Sequence, residues 1–66
     1  MTVLVNGKTH ELEEGETLAL LLERLGLGGR YALVERNGEA VERARYGHVE
    51  LAEGDELVVA RPVAGG

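Results

Sequence analysis

The chain has 66 residues, no cysteine, and 12 acidic against 7 basic side chains, which gives a formal net charge of -5. This length predicts a single small domain that buries only roughly 60% of the surface exposed by its unfolded chain. The absence of cysteine excludes disulfides, thiol catalysis and CxxC redox or zinc sites. The acidic balance argues against nucleic-acid binding and favours a protein partner with a basic or mixed surface.

The apolar segments predict a soluble, cytoplasmic protein that makes no contact with membranes. Residues 1–5 are largely apolar, but Asn6-Gly7-Lys8 follows at once. A signal peptide needs a basic leader and a longer apolar stretch. The longest apolar run, residues 18–22, is far shorter than the roughly 20 residues of a membrane span.

The first predicted element is a β-hairpin over residues 2–12, centred on Asn6-Gly7. Asn-Gly between two β-prone segments is typical of a type I′ turn, in which both central residues take a positive φ. The two-residue loop sets the register, and six side chains then share the face expected to form the core. They face each other in the pairs Val5–Lys8, Val3–His10 and Met1–Leu12. Leu4 points to the opposite face.

A helix is predicted next, over residues 17–25. Thr17 is the expected N-cap, and Gly26 lies where a left-handed C-terminal residue belongs. Four leucines recur at helical spacing and predict one buried stripe, made of Leu18, Leu21, Leu22 and Leu25. Leu20 falls outside this stripe, and we expect it to pack under the following loop.

Three further strands are predicted after a glycine-rich connection. Residues 31–36 and 39–41 flank a second Asn-Gly turn, residues 42–47 show no regular pattern, and residues 56–60 follow a Glu-Gly-Asp turn. This order predicts an α+β fold over residues 1–61. One helix packs on one face of a mixed sheet, with the first and last strands side by side in its middle. Pro62 discourages further pairing, so residues 62–66 are expected to form a flexible tail.

Candidate catalytic and metal-binding groups all have simpler structural explanations. His10 is expected at the sheet margin and His48 in an exposed turn, and neither has a second ligand at metal spacing. The carboxylates of Glu13, Glu14 and Glu16 precede a helix, where negative charge has a structural role. The glycine-rich segment 26–29 lacks the Lys-Ser/Thr of a P-loop. We therefore predict no catalytic and no metal-binding residue.

Two features could serve interaction with other proteins. Strict alternation turns Leu57 and Val59 toward the helix. The apolar residues left on the outer face are Leu4, Val58 and Ala60. They are either scattered surface residues or an interface, and both explanations stay open. The segment Ala64-Gly65-Gly66 is either a frayed end or a thin, permissive tail that can enter a narrow channel of another protein.

In their order and spacing these features resemble the bacterial ubiquitin-like β-grasp sulfur carriers, and within them the carriers of thiamine thiazole synthesis. The matching segments are Val3-Leu-Val5-Asn-Gly, Gly15-Glu-Thr-Leu18, Leu21-Leu22, Leu25, Ala32-Leu-Val34, Val41, Arg43, Glu53-Gly-Asp55-Glu-Leu57 and Pro62-Val-Ala-Gly-Gly66. The chain departs from the family at Glu42, where Pro is frequent, and at Tyr46, near a frequent Trp.

The resemblance implies a β-grasp fold and a sulfur-carrying cosubstrate that is not itself an enzyme. In such carriers a partner enzyme uses ATP to adenylate the terminal glycine carboxylate. A sulfur nucleophile then displaces AMP and a thiocarboxylate results. Gly66 would be the residue modified here. The tail residues that would enter the partner sites are Val63, Ala64 and Gly65, and the docking residues would be Leu4, Val58 and Ala60.

The partners that the resemblance implies are an adenylyltransferase of the ThiF type, a thiazole synthase of the ThiG type and a sulfur-donor protein, with no nucleic acid and no membrane. The chain would need no cofactor of its own, because ATP and Mg²⁺ serve the activating partner. Two alternatives stay open. One is a sulfur carrier for molybdopterin synthesis or tRNA thiolation. The other is a ubiquitin-like protein modifier or a plain β-grasp interaction module.

Overall fold

The computed structural model describes residues 1–28 and 32–61 of the chain. The elements are β1 (Thr2–Val5), β2 (Lys8–Glu11), α1 (Leu18–Arg24), β3 (Leu33–Arg36), β4 (Glu39–Val41), a 3-10 helix (Arg43–Arg45) and β5 (Glu56–Ala60). The predicted tail, residues 62–66, lies outside the described residues. So does Tyr31, at the expected start of the third strand.

The strands form one mixed sheet in the order β2-β1-β5-β3-β4. The last strand, β5, lies in the middle of the sheet, where it pairs parallel to β1 and antiparallel to β3. A parallel pair needs a crossover connection, which α1 and the β3–β4 hairpin provide here. The α+β fold with its first and last strands side by side is thereby confirmed.

Both Asn-Gly dipeptides form the tight turns that the sequence predicts. Asn6 and Gly7 take φ angles of 50° and 85°, and Asn37 and Gly38 take 51° and 86°. These positive values at both central positions match a type I′ turn, whose twist suits the flanking strands. In the first hairpin Val3 lies opposite His10 and Val5 opposite Lys8, which confirms the predicted register.

Helix α1 is short and is closed at both ends by local hydrogen bonds. The hydroxyl oxygen of Thr17 accepts a hydrogen bond from the Leu20 amide at 3.3 Å, as an N-cap does. At the other end Gly26 takes a φ of 69°. The Gly26 amide donates to the Glu23 carbonyl at 3.1 Å and the Leu27 amide to the Leu22 carbonyl at 2.9 Å. These two bonds form a Schellman motif, so both predicted caps are confirmed.

The core lies between α1 and one face of the sheet. Its fully buried large side chains are Leu18, Leu21, Leu57 and Val3. The expectation for Leu20 is wrong, because this side chain is 56% exposed. Leu20 lies on the side of α1 opposite the buried stripe, because successive helix residues are rotated by about 100°. No helix in the described part of the chain is long and apolar enough to cross a membrane.

The segment between β4 and β5 is more regular than its sequence suggests. Residues 43–45 form one turn of 3-10 helix where we expected irregular structure. The Tyr46 hydroxyl, just after this turn, donates to the Ala32 carbonyl at 3.1 Å. The chain then runs antiparallel to the start of α1, with a bridge between Glu50 and Thr17. These contacts hold the long connection against the core.

Candidate docking face and tail attachment

The sheet face turned away from α1 carries an apolar surface, which we call the outer face. At its centre Val58 is 53% exposed and Leu33 is 60% exposed. Leu33 lies opposite Ala60 on the neighbouring strand, and Glu35 lies opposite Val58. These side chains share one face because residues directly opposite each other in a sheet project to the same side. The outer face is therefore a continuous patch across β5 and β3.

All three residues of the predicted docking set lie on the outer face. Val58 and Ala60 are exposed neighbours along β5, and Leu4 lies one strand away on β1, where it pairs with Glu56. Leu4 is only half-buried and sits diagonally from Val58. The structure thus brings the three residues together, while their role in docking stays a prediction.

Two further members of this surface, Leu33 and Ala40, were not predicted from the sequence. Both line a shallow depression with Val58 and Ala60. A signal for them was present, because the Asn37-Gly38 turn sets the register of β3 and β4. With Val34 buried in the core, alternation places Leu33 on the opposite side of the sheet.

The outer face also carries acidic side chains. Glu35 and Glu56 are exposed and flank Val58 on β3 and β5. The hydroxyl of Thr2 donates to Glu11 at 2.7 Å on the far edge of the same face. The outer face therefore combines apolar and negatively charged side chains. Its negative charges match a partner surface that carries basic side chains.

Strand β5 leads directly to the C-terminal segment. Arg61, the last described residue, donates from Nη1 to the Gly26 carbonyl oxygen at 2.9 Å. This bond ties the chain just beyond β5 to the end of α1. The predicted modified residue Gly66 and the predicted tail residues Val63, Ala64 and Gly65 lie outside the described residues.

Two asparagine side chains hold β5, one at each end. Asn6 accepts from the Val59 amide at 2.8 Å and donates to the Val59 carbonyl at 3.2 Å. Asn37 accepts from the Glu56 amide at 2.9 Å and donates to an Asp55 carboxylate oxygen at 3.0 Å. Both residues also occupy the first central position of a type I′ turn. The central strand is therefore held by side chains from both neighbouring turns.

Asp55 anchors the end of β5 that is remote from the C-terminal segment. Its Oδ2 atom accepts hydrogen bonds from the Arg36 Nε at 2.9 Å and from the Ala52 amide at 2.8 Å. Burial by itself raises the pKa of Asp55. The hydrogen bonds from Asn37, Ala52 and Arg36, together with the Arg36 charge, outweigh burial and hold this pKa below its ordinary value. The arrangement keeps Asp55 ionised and gives it a structural role.

The described residues hold no group of three or more His, Cys, Asp or Glu side chains arranged to bind a metal ion. His48 is exposed, and His10 is half-buried on β2, at the edge of the sheet. Glu16 forms an ion pair with Arg24 at 2.7 Å beside α1.

Comparison with known proteins shows the same fold and the same family. The chain aligns over its whole length with the crystal structure of the thiamine biosynthesis protein ThiS from Geobacter metallireducens, with 30% identity, a TM-score of 0.82 and full coverage of both chains.

Two longer relatives are thiazole synthases. The one from Magnetococcus marinus is 41% identical and the one from Paramagnetospirillum magneticum is 33% identical, each over 66 residues. The chain spans only about a fifth of the length of these relatives, 20% of each. The model of the ThiS family matches residues 3–66. With nearly every residue inside that match, the chain belongs to the ThiS family.

Proposed function

We propose that this chain is a sulfur carrier protein of thiamine thiazole synthesis and that it carries sulfur as a thiocarboxylate on Gly66. The observation that carries the proposal is the match to the ThiS family over residues 3–66. The end-to-end similarity to a thiamine biosynthesis protein of the same length supports the assignment to the thiamine branch. The chain acts as a cosubstrate, and the chemistry belongs to its partner enzymes.

The proposed reaction begins by activating a poor electrophile. A carboxylate oxygen of Gly66 attacks the α-phosphorus of ATP on an adenylyltransferase of the ThiF type, and pyrophosphate leaves. A persulfide sulfur from a sulfur-donor protein then attacks the acyl carbon and AMP leaves. A thiol attacks the donor's cysteine sulfur in the resulting acyl disulfide, so a new disulfide forms on the donor and the thiocarboxylate leaves. ATP and Mg²⁺ serve the activating enzyme, and the chain needs no cofactor of its own.

The folded domain presents the reacting end and docks the partners. Val63, Ala64 and Gly65 have small or compact side chains, or none, and suit a narrow active-site channel. The outer face provides the docking surface through Leu4, Val58 and Ala60, extended by Leu33. Its apolar side chains and the neighbouring Glu35 and Glu56 support binding to an enzyme surface with apolar and basic side chains.

The receiving partner is a thiazole synthase of the ThiG type. Two relatives that bear this name contain a stretch similar to the whole chain within a protein about five times as long, since the chain covers 20% of each. A carrier-like segment and a thiazole synthase in one polypeptide support a working association of the two. The thiocarboxylate would donate its sulfur on that enzyme.

The proposal is tested by intact mass after incubation of the chain with ATP, Mg²⁺, the cognate adenylyltransferase and a sulfur donor. We expect the mass change of one oxygen-for-sulfur exchange, absent without ATP and absent in a chain lacking Gly66. Deletion of Gly66 leaves the sequence of residues 1–61 unchanged. An unaltered unfolding curve would therefore show that the missing exchange reflects the missing reacting residue and not a loss of folding. No exchange with the cognate enzyme contradicts the proposal, and ATP-dependent conjugation to lysines of other proteins would support a protein modifier in its place.

A further inference from the structure

We propose that Asn6 is a positioning residue for the reacting end of the chain, because its side chain holds the last part of β5, from which the C-terminal segment continues. The inference rests on the proposed function, since it concerns how that end is presented. The sheet has a gap beside the end of β5. Strand β1 ends at Val5, but β5 runs on to Ala60.

The hydrogen-bond ladder between β1 and β5 shows this gap. The Leu4 amide donates to the Asp55 carbonyl and the Asn6 amide to the Leu57 carbonyl, both at 2.9 Å. Val59 is the next residue of β5 whose backbone amide and carbonyl point toward β1. By then the chain has turned away at Asn6-Gly7, so no backbone of β1 lies opposite Val59.

The Asn6 carboxamide takes the place of the missing backbone. Its oxygen accepts from the Val59 amide at 2.8 Å, and its nitrogen donates to the Val59 carbonyl at 3.2 Å. A carboxamide carries a carbonyl and an NH2 group in one plane, so its carbonyl and one of its two N–H donors can act as a peptide group does. Aspartate lacks the donor and glycine lacks both groups. The parallel ladder is thus extended by one step beyond the end of β1.

The bond to Val59 acts on the segment that precedes the C-terminal residues. On the other edge of β5, Ala60 pairs with Leu33 of β3. Arg61 donates to the Gly26 carbonyl at 2.9 Å. With Asn6 the end of β5 is held on both edges, and without it one edge is open. An ordered attachment lowers the entropy lost when a partner captures the chain end.

Asn37 provides a matched control within the same molecule. It occupies the same position in the second type I′ turn and also makes two side-chain hydrogen bonds, but to the start of β5 at Glu56 and Asp55. Asn6→Gly and Asn37→Gly each keep a residue that accepts the positive φ of the turn. Each variant removes one pair of side-chain hydrogen bonds to β5 or its start and leaves the other pair intact.

The first measurement is amide hydrogen exchange of the whole chain followed by NMR. In Asn6→Gly we expect the Val59 amide to exchange about tenfold faster relative to the Leu21 amide in the core, because it has lost its acceptor. Asn37→Gly should leave the Val59 ratio unchanged and accelerate Glu56. This measurement needs no activity, so it decides the structural claim even if the carrier function fails.

The second measurement is the steady-state rate of activation by the cognate adenylyltransferase at varied carrier concentration. We expect Asn6→Gly to raise KM about five- to tenfold with little change in kcat, because the bound chain end is ordered by the enzyme at a greater entropic cost. Asn37→Gly should keep the wild-type KM. Asn6→Asp retains the acceptor and should fall between wild type and Asn6→Gly, and it replaces the glycine variant if that protein does not fold.

Two results would overturn the proposal. One is an unchanged Val59 exchange ratio in Asn6→Gly. The other is a KM that rises equally in the Asn6 and Asn37 variants, which would show that both act only through general stability. If the wild-type chain is not activated at all while Val59 exchange follows the prediction, the proposed function fails and the structural role of Asn6 remains.

Discussion

Asp55 is the one buried charged side chain among the described residues, and it is 6% exposed. Its carboxylate joins three parts of the chain through the Arg36 guanidinium, the Asn37 amide and the Ala52 backbone. Removing one partner of such a network leaves the others unsatisfied at a buried position. The stability of the β3–β4 turn and of the start of β5 therefore depends on this one charge.

We expect stability to fall in acid because of Asp55. The pKa of Asp55 is lowered in the folded protein, so its contribution is fully present above the unfolded value of about 3.9. It is lost as the pH falls through the lower, folded pKa. Asp55→Asn should destabilise the protein by about 1–3 kcal/mol at pH 7 and by less in acid, where the wild-type carboxyl is also neutral.

Urea unfolding at several pH values from neutral to strongly acidic measures this difference. Glu14→Gln removes an exposed carboxylate from the loop before α1 and is the control, with an expected effect within about 0.5 kcal/mol at any pH. A difference in the free energy of unfolding between wild type and Asp55→Asn that stays constant down to the most acidic pH would contradict the stabilising role assigned to the Asp55 charge.

At the scale of single elements, α1 depends on its caps because it has only seven residues. Isolated helices of this length are unstable in water, so packing and end bonds must hold them. Gly26 provides the left-handed residue of the Schellman motif, with a φ of 69° and no heavy atom within 4 Å of the position of an added Cβ. Gly47 likewise has open space around it, but its φ is not in the left-handed region.

Because neither position is crowded, this pair of glycines isolates the effect of backbone strain. Gly26→Ala should lower the free energy of unfolding by about 1 kcal/mol, because alanine is strained in the left-handed region. Gly47→Ala should be neutral or slightly stabilising, since alanine restricts the unfolded chain. Urea unfolding with an unchanged dependence on denaturant checks both values. Equal effects at the two positions would show that the cap conformation does not matter.

The elements that could be predicted from sequence are those specified by local chemistry. Two Asn-Gly turns, the Thr17 and Gly26 caps and the leucine stripe each depend on residues close in the chain, and the hairpin register follows from them. The 3-10 helix after β4 and the exposure of Leu20 were not predicted. Both depend on which distant segment packs nearby, and periodicity does not contain that information.

The candidate site was predictable to a similar extent. Alternation placed Leu4, Val58 and Ala60 on one face, and the same rule applied to β3 would have added Leu33. The side-chain bonds of Asn6 and Asn37 to β5 were not predictable from the turn signature. That signature reports the φ preference of asparagine, whereas the bonds require that β5 lie between β1 and β3. Strand order is a property of the whole sheet.

At the scale of the whole molecule, the two sides of the domain differ in a way that permits a controlled test of docking. The outer face exposes Val58 to 53%, and the helix side exposes Leu20 to 56%. Leu20 lies in a depression whose other lining residues are mostly charged. Both side chains are apolar, equally exposed and on regular elements, so arginine at either site should be tolerated by the fold.

Val58→Arg should weaken binding to the cognate adenylyltransferase about tenfold or more, because it replaces an apolar contact in the middle of the proposed interface with a long, charged side chain. Leu20→Arg should leave Kd unchanged, and calorimetric titration of each variant against the enzyme measures both.

Leu33→Arg should behave like Val58→Arg, which tests whether the surface extends to β3. Urea unfolding of all three must first show a wild-type midpoint within the error of the method. Leu4→Glu is a less direct test, because Leu4 is half-buried and its substitution also affects packing. If Leu20→Arg weakens binding while Val58→Arg and Leu33→Arg do not, the helix side is the docking surface and the assignment of the outer face is wrong.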